Sequence, residues 1–169
     1  MVHATRRVIV AMLCSAAAAA VLPRAAGAQT AIDVYELADY RLTPEVFERF
    51  VRASHRVADV TRDDPAFTFA PLFTRDVALS GDAVAAAAGL LTRIEHHQGL
   101  SKALEDAGIT PREFTKFAIT LIAAHLAHGF LASGVLPRVP SGAPTINVAF
   151  VEAHTSEVVD VLARLGIRD

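Results

Sequence analysis

The sequence predicts an all-α domain, and three observations predict it. First, apolar residues recur at three- and four-residue spacing from residue 43 onward, the period that lines one face of a helix. Second, Thr-Pro, Asn and Ser cap signals stand before these runs, and Gly stands after them. Third, no stretch alternates apolar and polar residues in the manner of a half-buried strand. The expected architecture is a single-domain bundle of about five or six helices around one central buried helix.

The chain opens on an export signal. Arg6 and Arg7 form a positive leader, Val8 to Val21 a compact apolar run, and Ala26-Gly27-Ala28 a small-residue cleavage site. The apolar run is shorter than the ~20 residues that span a bilayer. Cleavage is therefore predicted after Ala28, with residues 1–28 removed and 29–169 forming the helical domain. Leu13 precedes Cys14 where a lipidation signal needs a small residue, so lipid attachment is not expected. Removing 28 of 169 residues leaves 141, enough to bury about two-thirds of the unfolded surface. Cys14 is the single cysteine. A mature chain without it has no disulfide, thiolate metal site or covalently attached haem.

Gln29 to Arg41 is a short polar lead with Val34, Leu37 and Tyr40 at helix-like spacing. Thr43-Pro44 then starts a helix to about Thr61. Val46, Phe47, Phe50, Val51, Val57 and Ala58 share one stripe, with Glu48, Arg49, Arg52, Arg56 and Asp59 on the other. His55 falls at the edge of the apolar stripe. Between Asp63 and Asp82 the period fails at Pro65, Pro71 and Gly81. That segment carries Phe67, Phe69 and Phe73, which the sequence offers either as an aromatic cover for a ligand pocket or as a loop tucked onto the core.

Ser80 or Asp82 can cap the next helix, to about His96, with Val84, Ala88, Leu91 and Ile94 inward. Gln98 to Ala107 follows, anchored by Leu100 and Leu104 and stopped by Gly108. The central helix begins at Thr110-Pro111, where Thr110 and Glu113 have the spacing of a reciprocal capping box. From Phe117 to Leu131 only Thr120, His125, His128 and Gly129 are not aliphatic or aromatic, so no face is polar enough for water. Phe114, Phe117, Leu121, His125 and His128 share one stripe, and both histidines are expected to look inward.

Gly134 to Thr145 holds three prolines and Gly142 and is expected to be a surface loop. Asn147 is the expected cap of a last helical region, stapled by Ile146 and Val151 and broken near His154, with Gly166 closing its end. Leu42 to Phe50 (LTPEVFERF) and Ile109 to Phe117 (ITPREFTKF) match in Thr-Pro, in both phenylalanines and in a basic residue before the second. Thr-Pro is a favoured helix start and Phe at i and i+3 a favoured face, which accounts for the match without a duplication.

Several segments together resemble a group of small signal-peptide-bearing bacterial all-helical proteins. They are the signal, the Leu42-Thr43-Pro44 opening, the Ile94-Glu95-His96-His97 joint, the run Ala103 to Glu113 and the closing Asn147 to His154. The resemblance implies export and an all-helical fold. It carries over no catalytic residue.

Function is constrained mainly by exclusion. The chain has 16 Lys and Arg against 18 Asp and Glu. Arg6, Arg7 and Arg24 leave with the signal, so the mature balance is 13 against 18, or −5. Bases and acids are interspersed, which excludes the clustered basic surface that nucleic acid requires. No serine lies in a G-x-S-x-G setting and no Gly-rich phosphate loop occurs.

His125 and His128 at i and i+3 could ligate one metal ion or a haem, with His154 as the expected third ligand; Glu152, Glu157 and the His96-His97 joint are further donors. The pair lacks the Glu of HExxH and the paired Glu-x-x-His of di-iron bundles, so no obligatory cofactor is expected. Three classes remain. The sequence favours a non-enzymatic exported module that binds a partner protein or a small apolar ligand. The alternatives are a periplasmic metal or haem protein and an envelope-associated amphipathic protein, although membrane association is not expected once the signal is cleaved.

Overall fold

The computed structural model describes residues 32–62, 64, 83–139 and 144–167. Among them the chain forms seven helices and no strand: α1 Val34–Ala38, α2 Pro44–Arg62, α3 Ala83–His96, α4 Gln98–Ala107, α5 Pro111–Ala132, α6 Thr145–Ala153 and α7 Thr155–Arg164. The protein is an all-α single domain. The number exceeds the expected five or six because the polar lead forms a true short helix, while the last helical region divides at His154 as expected. In α1, Asp33 accepts from the Tyr35 N–H at 3.2 Å while Glu36 accepts from the Asp33 N–H at 3.3 Å, so a reciprocal cap sustains five residues that propensity alone would not.

The cap signals set most of the other boundaries. Thr110 Oγ1 accepts from the Glu113 N–H at 3.1 Å. Gly108 adopts φ 75°, a left-handed conformation that costs glycine little. The Ile109 N–H then bonds to the Leu104 carbonyl at 3.1 Å and turns the chain directly into α5. The return arm of the expected Thr110 box does not form. The Glu113 carboxylate instead accepts the Tyr40 hydroxyl and lies 3.6 Å from Lys116 Nζ, two partners that a backbone N–H at an exposed cap cannot match.

The expected role of Asn147 is also corrected. α6 starts at Thr145, so Asn147 lies inside the first turn, and its buried carboxamide points across the bundle. Its Oδ1 accepts from the Leu42 N–H at 3.0 Å and its Nδ2 donates to the Tyr40 carbonyl at 2.8 Å. Ile146 is exposed while Val151 is buried, so the hydrophobic staple is absent. The turn between α1 and α2 presents a buried donor and a partly buried acceptor, and one amide satisfies both.

α5 packs against α1, α2, α3, α4 and α6. One face, with Phe114, Phe117, Leu121 and Ile122, joins the main core built with Phe47, Phe50, Leu100, Leu104, Val151 and Val158. Ile119 belongs to a second cluster with Ile32, Ala87 and Leu91. Two cores on different sides of one helix explain why its sequence has no polar face. α5 is long and apolar enough to cross a membrane by length and composition, yet 56% of its most apolar window is buried inside the domain.

The matching starts of α2 and α5 meet in the core. Phe50 stacks on Phe114 with ring centroids 4.9 Å apart and lies 4.8 Å from Phe117, while Phe47 lies 6.0 Å from Phe117. Such aromatic pairs add about 0.5–1.5 kcal/mol each beyond the area they bury. The nine-residue similarity is thus a shared solution to burying two phenylalanines per helix start.

Candidate functional site

The histidines of the sequence analysis take different positions. His125 and His128 are half-buried in the second half of α5, where the buried positions are Ile122, Ala124 and Ala127. The stripe they share is fully enclosed at Phe114, Phe117 and Leu121 and only partly enclosed at the two histidines. His154 sits at the joint between α6 and α7. Its ring lies 4.5 Å from that of Phe150 and 5.5 Å from that of Phe47, and its Nδ1 is 3.4 Å from Glu157 Oε2.

His96 Nδ1 donates to the Thr92 carbonyl at 2.7 Å. His97 caps α4: its Nδ1 accepts from the Leu100 N–H at 3.2 Å, and its Nε2 is 3.3 Å from Asp64 Oδ2. Accepting at Nδ1 fixes the proton on Nε2, which donates to Asp64. Among the described residues, no group of three or more His, Cys, Asp or Glu side chains is placed to hold a metal ion. Phe67, Phe69 and Phe73 lie outside the described residues.

A groove of about 390 Å³ opens between α2 and α7. Phe47, Val51 and Val161 form its apolar floor. Glu48, Arg52 and His55 rise from α2, and Glu157, Asp160 and Arg164 from α7. The two walls follow from helical periodicity. Positions 48, 52 and 55 share one stripe beside the core stripe of Phe47 and Phe50, and 157, 160 and 164 share one beside Val158, Val161 and Leu162. Because α2 and α7 touch through their apolar stripes, their flanking polar stripes are left facing the same cleft. His154 borders this cleft through its contacts to Phe47 and Glu157.

The charges on the walls are arranged unusually. Glu45 and Arg49, at i and i+4 on α2, close an ion pair at 3.5 Å. Glu48 with Arg52, and Asp160 with Arg164, have the same spacing and the same favourable polarity. Neither pair closes among the described residues. The α2 wall therefore offers Glu48 and Arg52, and the α7 wall Asp160 and Arg164 beside Glu157, to whatever enters the groove.

A second polar cluster has a structural role. Burial, together with the hydrogen bond to the neighbouring Glu113 carboxylate, pushes the Tyr40 hydroxyl well above the usual phenol range. Lys116 Nζ lies 5.1 Å from the centre of the Tyr40 ring, and Arg112 pairs with Glu36 at 2.6 Å. These contacts hold α1 and the turn after it onto α5.

Sequence reasoning missed the groove because its floor reads as ordinary core and its walls as ordinary solvated faces. The two acid–arginine spacings are the signal that could have marked it. The chain matches no known protein family, no curated protein and no solved structure.

Proposed function

We propose that the protein is an exported, non-catalytic binding module whose α2–α7 groove holds a small ligand with an apolar body. The observation that carries this reading is the groove itself: an apolar floor of Phe47, Val51 and Val161 under a rim of separated charges. Its volume falls in the ~300–1,000 Å³ range of ligand sites, and an apolar lining with a few polar groups is their usual composition. The arginine-bearing leader and the Ala26-Gly27-Ala28 site support export. N-terminal sequencing of the mature protein is expected to begin at Gln29, and a mature chain retaining Met1 contradicts export.

The binding reading is tested with N-phenylnaphthylamine, a neutral apolar dye that fluoresces when it leaves water. The protein is expected to bind it. Val51→Lys, which places an ammonium on the half-buried groove floor, is expected to abolish the signal. Val159→Lys, on the exposed side of α7, is expected to leave it intact. Absence of dye binding, or equal binding by Val51→Lys, overturns the proposal.

A further inference from the structure

Resting on that reading of the groove, we infer that its ligand is dipolar: an apolar body carrying a carboxylate and an ammonium, as a short peptide of apolar residues does. A simple anion in this cleft faces Arg52 and Arg164 but also meets Glu48, Glu157 and Asp160 on the same rim. A simple cation meets the two guanidiniums. Like charges brought together on one rim repel. A ligand bearing both signs turns each of those repulsions into an attraction.

The arginines suit the carboxylate end, because a guanidinium binds a carboxylate through two parallel hydrogen bonds. The acids suit the ammonium, which needs several acceptors. The spacing within each wall is open as well. Glu48 and Arg52, and Asp160 and Arg164, stand at the separation at which Glu45 and Arg49 pair, yet remain apart. Their hydrogen-bonding capacity is free for a ligand without first breaking an ion pair. The floor of Phe47, Val51 and Val161 takes the apolar side chains. His55 and Glu157 close the rim, and Glu157 is already oriented by His154.

The experiment is calorimetric titration of the purified protein with the dipeptide leucyl-phenylalanine, and with the same dipeptide acetylated at its amine and amidated at its carboxylate. Dye displacement is followed in parallel. The free dipeptide is expected to bind and displace the dye, and the blocked form to bind about tenfold more weakly or not at all. Arg52→Gln combined with Arg164→Gln is expected to lose the free dipeptide by a similar factor while still binding the neutral dye, which shows that the variant is folded. Equal binding of free and blocked dipeptides, or an unchanged affinity in the double variant, overturns the inference. Dye binding without dipeptide binding overturns it while leaving the apolar groove as a binding site. Failure of the dye as well overturns both readings.

Discussion

Asn147 and Leu42 are joined across 105 positions of sequence by a 3.0 Å hydrogen bond from the Leu42 N–H to the Asn147 carboxamide oxygen. The same amide donates to the Tyr40 carbonyl at 2.8 Å. One buried side chain therefore fixes the turn between α1 and α2 against the first turn of α6. Because α2 carries one wall of the groove, this contact also sets where that wall begins.

Replacing Asn147 with Leu keeps the branched shape and removes both hydrogen bonds, leaving the buried Leu42 N–H and the partly buried Tyr40 carbonyl without their partner. Each such loss costs about 1–3 kcal/mol, a large part of the ~5–15 kcal/mol that holds a domain together. Urea unfolding of Asn147→Leu is expected to show a clear drop in the midpoint. An unchanged midpoint contradicts the role given to the amide.

Tyr40 makes stability depend on alkaline pH. Its folded-state hydroxyl titrates above the ordinary phenol value of about 10. The folded state thus favours the neutral phenol, and its contribution is complete below pH ~10. As pH rises further, the unfolded chain loses the proton while the folded chain resists, so stability falls. Melting temperatures measured between pH 8 and 11.5 are expected to fall above pH ~10, and to fall less steeply for Tyr40→Phe. Parallel curves for the two proteins would sink this assignment.

Three helical glycines separate propensity from packing. A Cβ added at Gly89 of α3 or Gly129 of α5 meets nothing within 4 Å, so Gly89→Ala and Gly129→Ala are each expected to stabilise by about 0.5–1 kcal/mol. At Gly99 a Cβ comes within 3.2 Å of His97 Cε1 and 3.3 Å of Val60 Cγ1. The His97 ring cannot retreat without loosening its bond to the Leu100 N–H. Gly99→Ala is therefore expected to give no gain. Thermal denaturation of the three variants side by side checks the contrast.

Local signals made the helices legible in the sequence. Thr110 before Pro111, Gly108 after Ala107 and the all-round apolarity of Phe117 to Leu131 each act through nearby backbone or through plain burial, and the structure keeps all three. Long-range partners were not legible. Glu113 leaves its own cap for Tyr40, and Asn147 leaves its own helix end for the α1–α2 turn, because a folded chain offers better partners than the neighbouring residue does. The stripe of His125 and His128 is enclosed at Phe114, Phe117 and Leu121 and only partly enclosed at the histidines, because periodicity orders the faces of a helix but does not say how far along it the neighbouring helices reach. The groove escaped notice because it exists only where two amphipathic helices meet along their stripe edges.

The most direct test of the central claim is a backbone-amide NMR titration of the protein with N-phenylnaphthylamine, which locates the bound ligand residue by residue. Perturbed amides are expected on α2 between Phe47 and His55 and on α7 between Glu157 and Arg164. Perturbations gathered instead around His125 and His128, or absent altogether, would contradict a ligand site between α2 and α7.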